Sequence, residues 1–128
     1  FFMRVMTIFD WILRIAGLGA LVLGLLIWTL KLDIITYHML FGLLVTLALL
    51  VISFLALLTR ELRVLGVIGI VYAFVLPVLG VNQDTLLIGN LHWLIQTIHT
   101  LVGIGALAYA GILSMRYRRL KQTTATAL

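Results

Sequence analysis

The sequence predicts an all-α integral membrane protein, a four-helix bundle built from two tandem helical hairpins with an interfacial amphipathic helix at its N-terminus. Apolar residues make up 64% of the 128 residues and charged residues only 10%, which lies far outside the composition of soluble domains. Four apolar runs are each close to the roughly 20 residues that a membrane-spanning helix needs. None of them shows the alternation with a period of two that a transmembrane strand requires. The runs cover 15–30, 34–58, 64–81 and 94–113.

The first predicted element is the segment 1–13, "FFMRVMTIFDWIL". Arg4, Thr7 and Asp10 recur on one helical face while aromatic and aliphatic side chains occupy the rest. This pattern is typical of a helix that lies in the membrane interface. Because the chain begins with Phe1 and not with Met, we expect it to be processed or incomplete.

The four-helix bundle is expected to cover residues 14–121, and the polar tail at 122–128 is expected to fray. Short polar breaks join the four runs, so the bundle leaves no room for a soluble domain. The chain contains no cysteine. This excludes disulfides, thiolate metal sites, iron–sulfur clusters and the thioether attachment of haem.

The basic residues predict the orientation of the bundle. Only Lys31 falls on one side of the four-helix plan, and the other eight basic residues fall on the opposite side. Because cytoplasmic loops carry the excess of Lys and Arg, both termini are expected in the cytoplasm, with the bundle in a prokaryotic plasma membrane. Trp28 and Trp93 would mark the outer interface, and Trp11 and Tyr117 the inner one. Since topology accounts for the net charge of +5, no nucleic acid partner is expected. The eight are Arg4, Arg14, Arg60, Arg63, Arg116, Arg118, Arg119 and Lys121.

Two histidines occur in a repeated apolar motif. "IITYHMLFG" at 34–42 and "IQTIHTLVG" at 95–103 share the pattern I-x-T-x-H-x-L-x-G. An arginine followed three positions later by glycine also opens the first and the third run. A repeat of this kind predicts two tandem hairpins related by an axis along the membrane normal. His38 and His99 are then expected to face each other near the outer leaflet.

Two facing imidazoles can occupy both axial positions of a haem iron. We therefore predict His38 and His99 as metal ligands for haem b. Gly42 and Gly103 follow their histidines by one helical turn, where a missing side chain lets a flat ring approach the backbone. With both axial positions filled, electron transfer is favoured over catalysis. The expected partner is a quinone or a redox protein on the outer side.

His92 is a third candidate, seven residues before His99 on the same helical face. Counting residues back from the basic residues at the inner end places His92 closer than His99 to the depth of His38. The repeat instead pairs His38 with His99. We follow the repeat, because predicted helix ends drift by several residues. On that choice His92 belongs to a polar insertion at 82–93 and is expected to contact the haem propionates.

With His38 on the second helix and His99 on the fourth, each followed by an apolar run rich in small residues, the chain resembles one four-helix half of haem A synthase. It is similar in general plan to other four-helix membrane b-type cytochromes. The resemblance covers helices two and four and the topology, and it implies a haem held between the two histidines. The second half of that family, its outer-loop cysteine pair and its acidic first-loop residue have no counterpart here. The resemblance therefore implies an architecture and not an oxidation of haem.

The alternative is a small accessory or assembly subunit of a larger respiratory or photosynthetic complex. Its histidines would pack helices or ligate a chlorophyll-type pigment, for which one imidazole is enough. A transporter is disfavoured because the runs carry no charged pair at mid-membrane depth. Association as a homo-oligomer or within a complex is expected, because Gly17, Gly19 and Gly24 offer a close-packing face on the first helix.

Overall fold

The computed structural model describes residues 1–86 and 89–127, the last of them by its backbone alone. These residues form four α-helices and include no β-strand: α1 (Phe2–Leu30), α2 (Ile35–Leu58), α3 (Arg63–Asn82) and α4 (His92–Ala127). A short 3₁₀ turn, Arg60–Leu62, joins α2 to α3. All four helices are long and apolar enough to cross a membrane. The prediction of an all-α chain with four long apolar helices is confirmed.

The interior of the bundle combines six alanines with eleven larger apolar side chains. Small residues in the contact surfaces let helix backbones approach closely, which is how membrane helices pack when lipid is as apolar as the core. The outward faces carry many exposed Leu, Ile, Val and Phe side chains. Such a surface is suited to contact with lipid hydrocarbon. The buried alanines are Ala16, Ala48, Ala56, Ala73, Ala106 and Ala110.

Helix α2 packs against both α1 and α3, and α4 contacts each of the other three helices. The packing of α2 on α3 is more extensive than that of α3 on α4. Helix contacts alone therefore do not divide the chain into two hairpins, and the tandem-hairpin plan stays a prediction.

Helix α3 approaches α2 closely at Gly66. A Cβ atom built on Gly66 would lie 2.5 Å from the backbone nitrogen of Leu57 and 2.7 Å from the carbonyl oxygen of Ser53. Real Cβ atoms do not approach backbone atoms this closely. Glycine is therefore required at this position by the close approach of α3 to α2.

Helices α3 and α4 are joined by two tyrosines in reciprocal positions. The Tyr72 hydroxyl on α3 donates a hydrogen bond to the Val102 carbonyl on α4, at 2.6 Å. The Tyr109 hydroxyl on α4 donates to the Leu65 carbonyl on α3. Val102 lies seven residues before Tyr109, and Leu65 lies seven residues before Tyr72. The two hydrogen bonds are therefore related by an approximate two-fold axis between the antiparallel helices α3 and α4.

The structure corrects the predicted separate helix over residues 1–13. Helix α1 continues without a break from Phe2 to Leu30, and Met6, Asp10 and Leu13 are buried in line with Gly17. These residues repeat at spacings of three and four, so they form one stripe along α1 that faces the bundle. The polar residues that suggested an interfacial helix are therefore divided, with Asp10 turned inward and Arg4 exposed.

The C-terminal segment is also more regular than expected. Helix α4 extends to Ala127, so 122–127 is helical and not frayed. The threonines of this segment donate hydrogen bonds to carbonyls four residues earlier, as Thr123 does to Arg119 at 2.9 Å. Tyr117 is only 2% exposed, so its side chain belongs to the core of the bundle and not to its outer surface.

Candidate functional site

The structure brings His38 on α2 and His99 on α4 into contact. Their ring centroids lie 6.1 Å apart, and the ring planes are inclined by 72°. Both imidazoles are partly buried. They lie near the end of the bundle where α1 meets α2 and α3 meets α4. Eight of the nine basic residues lie at the opposite end, and Lys31 is the exception.

Helix α1 fixes the orientation of the His38 ring. His38 is the fourth residue of α2, and its Nδ1 atom lies 2.8 Å from the Ala20 carbonyl oxygen of α1. A carbonyl only accepts hydrogen bonds, so Nδ1 carries the proton and Nε2 of the neutral ring keeps its lone pair. The ring lies over Gly24, where a built Cβ would stand 3.0 Å from Cε1 of His38.

His99 has a similar seat on α3. A Cβ atom built on Gly80 would stand 3.2 Å from Cε1 of His99. Each histidine therefore lies against a glycine of the helix that precedes its own. The Nδ1 atom of His99 is buried and has no hydrogen-bond partner in the part of the chain that the structure describes. Sequence reasoning missed both Gly24 and Gly80 as part of the site.

The two glycines predicted to flank the cofactor have free space beside them. A Cβ built on Gly42 or on Gly103 would meet no described atom within 4 Å, apart from the local backbone. Helix packing thus gives no reason for glycine at either position. Each lies one turn from its histidine on the same helical face.

His92 is the first residue of α4, two turns before His99 and roughly 10 Å from it along the axis. The surrounding polar insertion lies partly outside the described residues, because 87 and 88 are not covered. Within the described ranges no three His, Cys, Asp or Glu side chains are grouped to hold a metal. Among the described residues, His38 and His99 are therefore not joined by a third His, Cys, Asp or Glu ligand.

A second polar group, also missed by sequence reasoning, lies at the opposite end of the bundle. Asp10 of α1 is buried, and its Oδ2 atom contacts Arg14 at 3.1 Å and Arg118 of α4 at 3.6 Å. Asp10 Oδ1 and Ser114 Oγ are buried without a hydrogen-bond partner among the described residues. The ion pair between Asp10 and Arg118 ties α1 to the C-terminal part of α4.

The glycines proposed as an oligomer face are used inside the bundle. Built Cβ atoms at Gly17, Gly19 and Gly24 would contact Leu107 of α4, Phe41 of α2 and His38 of α2, respectively. This corrects the reason given for self-association. The association itself stays a prediction.

No protein-family model, curated protein or solved structure gives a significant match to this chain. The class of protein is therefore defined by its composition and fold, as a four-helix protein whose helices can cross a membrane.

Proposed function

We propose that the chain is a membrane b-type cytochrome that holds haem b between His38 and His99 and transfers electrons. The observation that carries the proposal is the contact between two imidazoles that come from different helices. Histidines inside apolar helices are costly and are usually paired or functional. Binding of one metal ion by both rings would give them such a function.

The separation of the rings suits two ligands of one metal ion. Metal–imidazole bonds are about 2 Å long, so two ligating rings on opposite sides of one ion have centroids about 6 Å apart. The 6.1 Å between the two centroids is close to this value. The ring separation therefore supports the proposal that both imidazoles bind one metal ion.

The hydrogen bond from His38 supports the same reading. Metal-ligating histidines almost always donate their second ring N–H to a carbonyl, a carboxylate or water, which fixes the tautomer and the ring plane. His38 Nδ1 donates to the Ala20 carbonyl and leaves Nε2 free for a metal. His99 would supply the opposite ring, and its buried Nδ1, which has no partner among the described residues, supports a bound group at this site.

Gly42 and Gly103 each leave open space beside the backbone, and in this proposal the flat ring system approaches the helices there. His92, two turns from His99 towards the end of α4, is a candidate for propionate contacts. Haem b, when bound, supplies a one-electron iron couple. His38 and His99 would hold the haem, and the apolar residues around them would set its surroundings and leave no open position for a substrate.

We further propose that the bundle lies in a prokaryotic plasma membrane with the basic end, and so both termini, in the cytoplasm. The histidine pair then lies nearer the outer leaflet. An electron donor or acceptor on that side, or a quinone within the bilayer, would be the partner.

A second candidate is a packing or assembly subunit. The observation that favours it is the fit of His38 onto Ala20 and Gly24, since an imidazole can join two membrane helices without any cofactor. A chlorophyll-type pigment on one imidazole would be a variant of this second function.

The test is a reduced-minus-oxidised visible spectrum of the purified full chain, with the haem content measured on the same sample. The proposal predicts about one haem b per chain and the sharp α and β bands of a six-coordinate iron. A colourless protein after expression with ample haem would support the packing subunit. Absorption in the far red would indicate the pigment.

A further inference from the structure

The end of the bundle opposite the histidines carries nearly all of the basic side chains. Eight of the nine Lys and Arg residues lie there, with Asp10 and Glu61 as the acidic residues. Asp10 is buried, so its charge is screened from the surface by the arginines that contact it. The exposed surface at this end is therefore strongly positive.

Two of these arginines converge from different helices. The guanidinium groups of Arg14 and Arg118 approach the same Asp10 oxygen at 3.1 and 3.6 Å, so their contacting nitrogens are within about 7 Å of each other. The two side chains are 49% and 30% exposed. One carboxylate balances one of the two charges. Most of their ten N–H donors are left for another partner.

An exposed aromatic side chain lies beside this pair. Trp11 is 57% exposed, and the Arg14 guanidinium lies 5.6 Å from the centroid of its ring. Tryptophan is enriched at the level of lipid headgroups, where its apolar body and its N–H meet both environments. Arg119 and Lys121 on α4 add exposed positive charge next to Arg118.

We propose that Arg14 and Arg118, with Trp11 beside them, bind the phosphate of an anionic phospholipid at the seam between α1 and α4. Guanidinium groups are suited to phosphate because each presents paired donors in one plane. In this proposal the Trp11 ring lies against the part of the acyl chains nearest the headgroup. The Asp10 carboxylate holds the two arginines together and does not contact the lipid. This site is independent of haem binding, and its test does not use the histidines.

Trp11 can report on the site directly. The chain has three tryptophans, and replacing Trp28 and Trp93 by Phe leaves Trp11 as the single tryptophan, which can be excited selectively at wavelengths that tyrosine does not absorb. This variant is placed in phosphatidylcholine bilayers in which a fraction of the lipid is brominated phosphatidylglycerol or, in a parallel sample, brominated phosphatidylcholine. We expect about fivefold stronger apparent binding of the quenching phosphatidylglycerol, as a basic contact near an anionic headgroup gives. Equal quenching by the two lipids would overturn the proposal.

The charge variants separate a defined site from general attraction. Asp10→Asn with Arg14→Gln and Arg118→Gln removes the pair without leaving a buried charge, and it should abolish most of the selectivity. Asp10→Asn alone should keep or raise it, because both guanidiniums are then free for phosphate. The matched control, Arg60→Gln with Arg63→Gln, removes two charges from the same end and should keep the selectivity.

Two results of this series would overturn the proposal. One is selectivity that survives in the triple variant, with folding checked by circular dichroism. The other is an equal loss in the Arg60→Gln, Arg63→Gln control, which would show diffuse attraction to the whole basic end. Displacement of phosphatidylglycerol by inorganic phosphate at equal concentration would instead show a free-anion site and overturn the assignment to lipid.

Discussion

The Nδ1 atom of His38 lies 2.8 Å from the carbonyl oxygen of Ala20, so α1 orients an imidazole that α2 carries. The same ring contacts the backbone at Gly24, one turn further along α1. The arrangement fixes the tautomer of His38 and leaves the lone pair on Nε2 of the neutral ring. The histidine pair is therefore held by all four helices, since Gly80 of α3 supports His99 in the same way.

Valine at Gly24 or Gly80 should displace the adjacent imidazole. A Cβ alone would stand 3.0 Å from His38 or 3.2 Å from His99, and the two methyl groups of valine would extend further into each ring. We expect loss of most bound haem from each variant, measured as haem per chain. Gly111→Val is the matched control, because a Cβ there meets no described atom within 4 Å. Full haem content in Gly24→Val would contradict the proposal that Gly24 positions the His38 ring for haem binding.

Large side chains at Gly42 and Gly103 distinguish a cofactor site from helix packing. The space beside both residues is open in the protein, so Gly42→Phe and Gly103→Phe should leave the stability of the haem-free chain nearly unchanged. If haem uses that space, the same variants should lower haem affinity by tenfold or more, about 1.4 kcal/mol. The check is a haem titration beside a thermal melt of the haem-free protein. Unchanged affinity would remove these glycines from the site.

Gly66→Ala should destabilise the fold by about 1–3 kcal/mol, the usual cost of an overpacked core. The added methyl group would meet the Leu57 backbone and not a movable side chain, so α3 must shift away from α2. Unfolding in a denaturing detergent measures the change. Gly111→Ala, which has free space, should be neutral or slightly stabilising because alanine favours the helix. Equal effects of the two substitutions would mean that the α2–α3 crossing is looser than described.

Substitutions around Asp10 should be asymmetric. Asp10→Asn leaves two arginines that are partly exposed and can reach water, so we expect a loss of about 1–3 kcal/mol. Arg14→Gln with Arg118→Gln leaves a buried carboxylate without a counter-charge, for which about 3–5 kcal/mol is typical. Detergent unfolding of both variants compares the two costs. A smaller loss in the double arginine variant would show that Asp10 is not held as an ion pair.

The helices could be predicted from the sequence because hydrophobic run length is a local property. Three of the four apolar runs fall within α1, α3 and α4, and the run 34–58 matches α2 except for its first residue, Ile34. The inward position of Asp10 could not be predicted, since it depends on Arg118, more than a hundred residues away in the chain. Without that partner, a carboxylate among arginines indicates a solvated interface, and residues 1–13 were expected to form a separate helix.

The site around the histidine pair could likewise be predicted only in part from the sequence. The repeated motif identified His38 and His99, whose rings are in contact in the structure. The motif also predicted that the glycines four residues after each histidine, on the same helices, belong to the site. The glycines that contact the rings are Gly24 and Gly80 on the neighbouring helices. Their positions depend on the register between helices, for which the repeat carries no signal.

The most direct test of the central claim compares the reduced visible spectra of His38→Ala, His99→Ala and His92→Ala with that of the unsubstituted protein. The account predicts that each of the first two substitutions abolishes the six-coordinate bands, because each removes one axial ligand of the same iron. His92→Ala should keep them. A six-coordinate spectrum that survives His99→Ala but is lost in His92→Ala would contradict the account and assign the second ligand to His92.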